Sequence, residues 1–558
     1  MSLPRFNLQT TLRTIPVSAW LLVAFSALLQ VAIFPMAGIV PAWREPIGWL
    51  ALVPLLLAIL HPAKDGKALS VTQAALLGYG CGILWYLGNC YWIYQTMYLY
   101  GGLPKPVSFG ILISFALYLG LYHALFAATL GVVLRSGMGV AGGLLVSPFV
   151  WVAVELARGR ITGFPWDLLG NSQVDNLWLT RLAPIAGVMA MSFVLAAVNA
   201  GFAAWFFLRS KQRWMIAGIA AVAAVALQAG MPAHPHYFLE GTDQTAVMMQ
   251  ENLEVGEMAR YQQPIAPTDE MRFFSQLSLD PQRYGLPVKP TVVIWPEAPS
   301  DLFSFDPYFR QQMGSLAKKA QAPAIIGSVG IDRTDHNVRG YFKYDSASLF
   351  DAGGVYRGRY DKVHLVPWGE YVPFSRLFFF THKLTKNAGD MDPGTLRSVF
   401  TTGGHTYGVF VCYESIFGDE VRQFVKNGAG VLVNISDDGW YGDTGAPWQH
   451  LNMTRMRAIE NHRWLLLDTN TGVTTAIDPE GRTTVEAPRH VRGAYAMGFA
   501  FTSGTTFYTR HGDWFAWICV MVSVGVVGLS LRVKSSGSNL EPWEQQGISN
   551  SAHTCFTD

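Results

Sequence analysis

The stretch GVFVCYESIFGDE, residues 408–420, changes its character at Cys412. The residues before the cysteine form a short apolar run rich in β-branched and aromatic side chains, which predicts a buried strand. The residues after it have a helical pattern. The sequence therefore predicts a strand-to-helix junction with a cysteine at the point where the strand ends.

Similar apolar runs recur on both sides of this stretch, at TAVMMQ (245–250), TVVIWP (291–296), APAIIGS (322–328), GVLVNIS (430–436) and WLLLDTN (464–470). Continuous apolar runs of this length are typical of sheets that are covered on both faces. Helical patterns separate several of them, at 306–320, 414–427 and 446–463. This alternation predicts a domain of α/β layers.

The composition of the whole chain indicates a membrane protein. Half of the 558 residues are apolar and only 14% are charged, whereas a soluble domain usually carries about 25% charged residues. The formal net charge is only +2, and there is no basic stripe, so no nucleic-acid partner is expected.

Apolar runs near the length of a membrane span explain this composition. They lie at 15–36, 44–60, 72–94, 106–134, 139–157, 182–208, 213–230 and 514–532, and a helix needs roughly 20 apolar residues to cross the hydrocarbon core. The sequence therefore predicts a transmembrane domain at 1–230 with about seven helices and a separate domain at 231–510. A C-terminal transmembrane helix at 511–532 and a polar cytoplasmic tail at 533–558 complete the predicted organisation.

The distribution of lysine and arginine predicts the orientation of these spans. If the N-terminus is cytoplasmic, the cytoplasmic segments hold ten such residues: Arg5, Arg13, Lys64, Lys67, Arg135, Arg209, Lys211, Arg213, Arg532 and Lys534. The opposite short loops hold five: Arg44, Lys105, Arg158, Arg160 and Arg181. Positive charge favours the cytoplasmic side, so residues 231–510 are expected on the periplasmic face of the bacterial inner membrane.

Three segments of the 231–510 region carry candidate chemistry. Glu297 follows a buried strand in VVIWPEAPS, Lys362 lies in the bent loop YDKVHLVPWGEYVPF (360–374), and Cys412 ends its strand. A thiol at a helix N-terminus would have a lowered pKa. A cysteine nucleophile needs a base, and an ammonium can stabilise an oxyanion, so the three residue types together are typical of acyl transfer through a covalent intermediate.

Each segment also has an ordinary explanation when it is considered alone. Glu297 could be a solvated acid at a strand end, Lys362 part of an ion pair in a surface loop, and Cys412 a small core residue. A Cys–His pair is a further alternative, because His364 and His450 could assist the thiol. The chain has no G-x-S-x-G motif of a serine hydrolase, and no zinc-ligand spacing of its cysteines and histidines.

The ordered set of motifs WPE, K-x-H-L-V-P-x-G-E and CYE resembles the nitrilase superfamily. The membrane flanks make the chain similar to the bacterial apolipoprotein N-acyltransferase family, as do ELARGRITGFPWDLLGNSQ (155–173) and the stretch from DDGWYGDTGAPWQH to TNTGVTTAIDPEGR (437–482). The resemblance implies a nitrilase-like αββα sandwich on an eight-helix membrane base.

The resemblance also implies an activity and its residues. The family transfers an acyl chain from a phospholipid, typically phosphatidylethanolamine, to the α-amino group of the diacylglyceryl cysteine of an apolipoprotein. Carried over, Glu297 is the general base, Lys362 the oxyanion stabiliser and Cys412 the acylated nucleophile. Supporting positions near the active site are Glu370, Tyr413 and Glu414. No metal or diffusible cofactor is implied.

Two stretches depart from the family pattern. MMQENLEVGEMARY (248–261) has neither the tryptophan nor the proline that the family often carries there, and Asp437 stands where the family often has asparagine. Two further features predict contacts with the bilayer: RLFFF (376–380), containing Leu377, Phe378, Phe379 and Phe380, and the GFPW motif (163–166). A buried strand is the alternative for the former, and a tight structural turn for the latter.

The main alternative function is a membrane-tethered amidase or nitrilase, which would release its thioester to water through the same three residues. A transporter or sensor with an extracytoplasmic domain is the non-enzymatic alternative. The few charges inside the predicted spans disfavour an ion-coupled carrier.

Overall fold

The computed structural model describes residues 8–535 except for short gaps. These gaps are 137, 208–209, 231–240, 262–265, 284, 287–288, 298–302, 336–338, 368 and 372–390. The predicted bilayer-contacting run Leu377–Phe380 and most of the predicted tail therefore lie outside the described residues.

Each apolar run predicted in the first 230 residues contains a helix. The helices are α1 (Leu8–Arg13), α2 (Val17–Ala32), α3 (Val53–Leu60), α4 (Val71–Asn89), α5 (Trp92–Gln95), α6 (Lys105–Leu134), α7 (Gly139–Ile161), α8 (Ala183–Ala186), α9 (Val188–Ala204) and α10 (Ser210–Gln228). A 3-10 helix, Glu45–Trp49, precedes α3. Ser70 starts α4 with a capping box, since its hydroxyl accepts the backbone N–H of Gln73 at 3.2 Å and the Gln73 side chain accepts that of Ser70 at 2.7 Å.

Close packing of α4 against α6 depends on glycine. A Cβ at Gly78 would lie 2.4 Å from the carbonyl oxygen of His123, and one at Gly82 would lie 2.9 Å from the Cα of Gly120. Small residues that let backbones approach are typical of helix pairs in membranes, where lipid offers no hydrophobic force between helices.

The second part of the chain forms two packed sheets. Their strands are β1 (Gln244–Gln250), β2 (Val292–Ile294), β3 (Ala324–Arg333), β4 (Tyr341–Phe350), β5 (Tyr356–Asp361), β6 (Phe400–Thr402), β7 (His405–Val411), β8 (Val431–Ser436), β9 (Leu465–Thr469), β10 (Thr475–Ile477) and β11 (Gly493–Phe499). The first sheet has the order β11-β1-β2-β3-β4-β5 and the second β10-β9-β8-β7-β6. The six strands expected from the sequence are all present, and the other five were not predicted.

Helices cover the outer face of each sheet. They are α11 (Pro267–Leu279) and α12 (Pro307–Ala320) on the first sheet, and α13 (Gly418–Lys426) and α14 (Ala446–Asn461) on the second. On β1, Val247 and Met249 join the cluster under α11 and α12, whereas Ala246 and Met248 face the second sheet. Both faces of the strand are buried, which explains its unbroken apolar run. The α/β prediction is therefore confirmed as an αββα sandwich.

After the sandwich come α15 (Phe507–His511) and the long apolar helix α16 (Trp514–Ser535). Among the described residues, three helices have the length and hydropathy to cross a membrane: Lys105–Leu134, Gly139–Ile161 and Trp514–Arg532. Shorter apolar helices lie at Val17–Ala32, Glu45–Leu60 and Val188–Ala204. The count of eight spans remains a prediction.

The GFPW turn joins the helical part to the sandwich. The Trp166 side chain is 1% exposed, and its Nε1 donates to Oε1 of Gln449 on α14 at 2.7 Å. Gln449 also donates to the backbone oxygen of Pro35 at 2.8 Å. The prediction that this motif anchors at the bilayer interface is wrong for Trp166, because the side chain is buried against α14. The alternative of a structural turn describes it.

A test of the α4–α6 contact is the substitution Gly78→Ala. The added methyl must displace backbone of α6, and overpacking of this kind costs about 1–3 kcal/mol. We expect a lower unfolding temperature of the detergent-solubilised protein, followed by tryptophan fluorescence.

Gly110→Ala on α6 is the matched control, since a Cβ there meets no atom of the described residues within 4 Å. We expect this variant to unfold within a few degrees of the wild type. Equal unfolding temperatures for the two variants would contradict the close packing at Gly78.

Candidate active site

The carboxyl ends of several strands bring the predicted residues together. Glu297 follows β2 and Lys362 follows β5 at the same end of the first sheet, while Cys412 follows β7 in the second. Strands β1, β2 and β3 are parallel, as are β7, β8 and β9. Residues that are far apart in sequence therefore meet at one end of the sandwich.

The Lys362 ammonium is the centre of the site. Its side chain is 0% exposed, and Nζ lies 2.9 Å from Oε1 of Glu297 and 3.1 Å from Oδ2 of Asp345. It also pairs with Oε1 of Glu370. One oxygen from each of the three carboxyl groups lies within 4.8 Å of the others, a spacing that would also suit a cation. The ammonium is the shared hydrogen-bond donor to all three carboxyl groups.

Burial and pairing set the charge states around Lys362. Burial favours the neutral amine, but Glu297, Glu370 and Asp345 outweigh it and raise the pKa of Lys362 well above its usual value. Burial likewise opposes ionisation of Glu297, yet Lys362 and two hydrogen bonds hold the pKa of Glu297 below its usual value. The pair is therefore an ammonium facing a carboxylate at neutral pH.

Asp345 is the member of this group that the sequence analysis missed. It lies on β4, and burial raises its pKa well above the usual value, so it is a neutral acid that hydrogen-bonds Glu297. Burial also raises the pKa of Glu370. An acid in the middle of a strand, in YFKYDSASLF, was the available signal, but strand β4 itself was not predicted.

Cys412 occupies a strained turn rather than the N-terminus of an α-helix. Its φ is +49°, and residues Cys412–Ile416 form a 3-10 helix before α13 begins at Gly418. A non-glycine residue in this region costs about 1–3 kcal/mol and is frequent at active sites. Such a turn directs a side chain out of the line of the strand.

The expectation of a lowered thiol pKa is wrong. Burial, the Glu297 carboxylate and Asp438 raise the pKa of Cys412 well above its usual value, although Lys362 acts in the opposite direction. The resting thiol is therefore protonated, and it needs a base at the moment of attack. The charges of Glu297 and Lys362 both act on this sulfur: Glu297 raises the pKa of the thiol and Lys362 lowers it.

Glu414 joins the cysteine turn to the lysine loop. Its carboxylate accepts the backbone N–H groups of Val411 and Val363, each at 2.8 Å, and that of His364 at 3.1 Å. The Tyr360 hydroxyl donates to the same carboxylate at 2.8 Å. Glu414 therefore holds two loops in register through their backbones.

Tyr413 links the site to the membrane-side GFPW turn, since its hydroxyl donates to the carbonyl oxygen of Gly163 at 2.8 Å. Burial raises the pKa of this phenol, which therefore stays neutral. His364 lies beside it: the ring pairs with Glu420 at 3.4 Å and stacks on Phe417 with centroids 3.7 Å apart.

Asp437 contributes its backbone to the site. Its N–H donates to Oε2 of Glu297 at 2.7 Å, so each Glu297 oxygen has a donor. The Asp437 side chain accepts from Asn470 at 2.9 Å and from the Gly439 N–H at 3.1 Å. Burial raises the pKa of Asp437 to about 7. The donor that Glu297 uses here is thus independent of the side chain at 437.

This geometry can support attack of a thiol on a carbonyl. A charged carboxylate is available to take the thiol proton, and a fixed ammonium in a dry site is available to stabilise an oxyanion. The backbone contacts of Glu414 and Asp437 hold these groups before substrate arrives, which is the condition for electrostatic preorganisation.

Two family models match the chain. Residues 26–201 match the apolipoprotein N-acyltransferase N-terminal domain, and residues 288–496 match carbon-nitrogen hydrolase. Among solved structures, the chain is similar to Saccharomyces cerevisiae Nit3, a member of the nitrilase superfamily. That likeness has a TM-score of 0.33 at 15% identity and covers 46% of this chain and 88% of Nit3.

Full-length relatives are more similar. An apolipoprotein N-acyltransferase from Geobacter metallireducens is 33% identical over 536 residues, which cover 93% of this chain and 97% of that protein. One from Methylococcus capsulatus is 32% identical over 496 residues, covering 88% of this chain and 93% of that protein. The chain therefore belongs to the apolipoprotein N-acyltransferase family.

Proposed function

We propose that this protein transfers an acyl chain from a membrane phospholipid to the N-terminal amine of the diacylglyceryl cysteine of apolipoproteins, the last step of lipoprotein maturation. The observation that carries the proposal is the Lys362 ammonium held beside Glu297 within electrostatic range of the Cys412 thiol. Phosphatidylethanolamine is the proposed acyl donor.

In the first half-reaction, Glu297 takes the Cys412 proton as the sulfur attacks the ester carbonyl of the phospholipid. Lys362 stabilises the oxyanion. The ester C–O bond then breaks, Glu297 gives the proton to the leaving alkoxide of the lysophospholipid, and a thioester remains on Cys412.

In the second half-reaction, the neutral amine of the apolipoprotein attacks the thioester carbonyl. Glu297 takes a proton from the amine nitrogen and passes it to the departing sulfur, so an amide forms and the thiol is restored. Because one product leaves before the second substrate reacts, ping-pong kinetics are expected.

Glu370, Tyr413 and Glu414 support this chemistry without taking part in bond changes. Glu370 balances the Lys362 charge, Glu414 fixes the two loops, and Tyr413 ties the cysteine turn to the GFPW turn. Each of these contacts maintains the spacing of the three reacting groups.

The proposed membrane arrangement has eight spans, seven within residues 1–230 and one at 511–532, with the sandwich domain (231–510) on the periplasmic face of the inner membrane and the tail (533–558) in the cytoplasm. It is supported by the helices in each apolar run and by the lysine and arginine distribution. Moving acyl chains into water would cost about 0.8 kcal/mol per CH₂. A site packed directly on the membrane helices avoids that cost.

Replacement of the nucleophile tests the proposal directly. We expect membranes carrying Cys412→Ser to form no acyl-enzyme and to lose N-acylation of a diacylglyceryl lipopeptide supplied with labelled phospholipid. A serine hydroxyl is a weaker nucleophile than a thiol and has a much higher pKa. The neighbouring carboxylate and ammonium do not lower that pKa enough to restore the reactivity of the thiol.

Cys519→Ala on α16 is the matched control, because that cysteine is also buried but lies outside the site. It should retain N-acylation. Equal lipopeptide acylation by Cys412→Ser and wild type, at matched expression, would remove Cys412 from the mechanism.

The base and the ammonium are tested separately. Glu297→Gln and Lys362→Met should each slow thioester formation by at least roughly tenfold, from the typical effects of losing a general base or an oxyanion donor. Lys362→Met should also destabilise the fold, because breaking a buried ion pair costs about 3–5 kcal/mol. Its stability should fall further as pH rises, since the carboxyl groups that remain then lose their protons without a counter-ion.

Lys426→Met, at an exposed position on α13, controls for the loss of a positive charge. This variant should have the wild-type rate of thioester formation and the wild-type stability. A Lys362→Met variant with wild-type thioester formation, measured by single turnover with labelled phospholipid, would contradict the oxyanion role.

The pH dependence of thioester formation follows from Glu297 and Cys412. The pKa of Glu297 is lowered and that of the thiol is raised, so the base is charged and the thiol neutral between about pH 5 and pH 8. We expect a flat single-turnover rate in this window and a loss of rate as pH falls through the pKa of Glu297. A rate that climbs about tenfold per unit near neutrality would instead indicate titration of a free thiol.

A further inference from the structure

A run of buried polar contacts leads from Ser436, which neighbours Cys412 across the second sheet, back to the carbonyl oxygen of Cys412. Cys412 follows Val411 on β7 and Ser436 follows Ile435 on the paired strand β8, so the two residues are neighbours. Ser436 lowers the pKa of the Cys412 thiol, and its hydroxyl donates to Oδ1 of Asp438 at 2.7 Å. Asp438 pairs with Nδ1 of His450 at 3.0 Å. Nε2 of His450 lies 3.2 Å from the carbonyl oxygen of Cys412. The side chains between the two ends are at most 1% exposed.

The contacts of His450 suit an imidazolium, because Nδ1 faces the Asp438 carboxylate and Nε2 faces the carbonyl oxygen of Cys412, which are both acceptors. Burial opposes its charge, but Asp438, the Cys412 carbonyl and Glu297 outweigh it and raise the pKa of His450 above the usual value. Both ring nitrogens of an imidazolium are donors. Nδ1 therefore donates to Asp438, and Nε2 donates to the Cys412 carbonyl and to the Ser415 hydroxyl at 2.6 Å.

In this charge state, His450 cannot act as the catalytic base. An imidazolium has no free lone pair to accept the thiol proton, and its Nε2 is engaged with the backbone of Cys412. The ion pair nevertheless controls the thiol indirectly. Ser436 has a single hydroxyl proton, and two groups compete for it: the Asp438 carboxylate and, during attack, the developing thiolate of Cys412.

Trp166 couples this network to the helical domain. Its indole lies parallel to the His450 ring, with an interplanar angle of 9° and centroids 6.4 Å apart. Tyr441 contacts the ring at a steep angle, with centroids also 6.4 Å apart. Aromatic groups from both parts of the chain thus surround the imidazolium and keep it in a dry environment.

We propose that His450 is a positioning residue for the Cys412 nucleophile. By neutralising Asp438 it releases the Ser436 proton to the developing thiolate, and by binding the Cys412 carbonyl it holds the left-handed turn. The inference rests on the proposed function, because it concerns the same thiol. The other charged groups that face this thiol are Glu297 and Lys362, and Glu297 also faces His450.

The test measures alkylation of Cys412 by iodoacetamide against pH in the full-length detergent-solubilised protein, with the modified peptide identified by mass spectrometry. Glutamine at 450 can still donate to the Cys412 carbonyl but cannot neutralise Asp438. We expect His450→Gln to raise the apparent pKa of Cys412 by about one unit and to slow its alkylation at neutral pH about tenfold.

The double variant His450→Gln/Asp438→Asn distinguishes charge balance from packing. It removes the carboxylate together with its counter-ion, so alkylation should return to within about threefold of the wild-type rate. A merely structural histidine would leave the double variant as slow as the single variant or slower, and that result overturns the proposal.

His490→Gln is the matched control. His490 also pairs with an aspartate, Asp443, at 2.7 Å, but on the surface. It should have the wild-type pH profile, and a His450→Gln variant with that same profile would overturn the proposal. If His450→Gln fails to accumulate, the double variant decides: near-wild-type alkylation supports the inference and a tenfold loss overturns it.

Alkylation requires neither phospholipid nor apolipoprotein. A wild-type protein without N-acylation activity would therefore contradict the proposed function and leave the role of His450 to be judged by the alkylation data alone.

Discussion

The buried Lys362 ammonium is the interaction on which the site depends. A charge with 0% exposure is stable only when it is paired, and here Glu297, Glu370 and Asp345 provide the pairing. The same pairing keeps Glu297 ionised despite its burial, because Lys362 offsets the desolvation of that carboxyl group. In the proposed mechanism, the ammonium that pairs with these carboxyl groups is also the group that stabilises the oxyanion.

This charge arrangement favours a protonated thiol at Cys412, whereas a helix N-terminus would favour a thiolate. Burial and neighbouring acids keep Cys412 protonated, so reactivity depends on a base and on donors that act during attack. A neutral resting thiol is less prone to unwanted reactions than a thiolate. The Glu414 carboxylate maintains the required distances by joining the cysteine turn to the lysine loop.

The helical part of the chain contributes to the site through its contacts as well as through membrane attachment. Trp166 lies under α14, bonds Gln449 and stacks on His450, while the Gly163 carbonyl accepts from Tyr413. Any movement of the sandwich relative to the helices would therefore disturb residues beside Cys412. This coupling gives a physical reason for acyl transfer to be performed on a membrane base rather than by a detached domain.

The sequence by itself determined the layered architecture and the positions of the apolar helices, because these depend on local hydrophobic pattern. Its continuous motifs also indicated Glu297, Lys362 and Cys412 as candidate site residues. It did not reveal Asp345 or the charge state of Cys412. Asp345 lies on a strand whose first four residues are at least partly exposed and whose last six are buried on both faces, so its polar and apolar residues give no clear period. A pKa depends on burial and on groups from distant strands. Only the tertiary structure decided these properties, since it alone sets which charges share a dry space and how far apart they are.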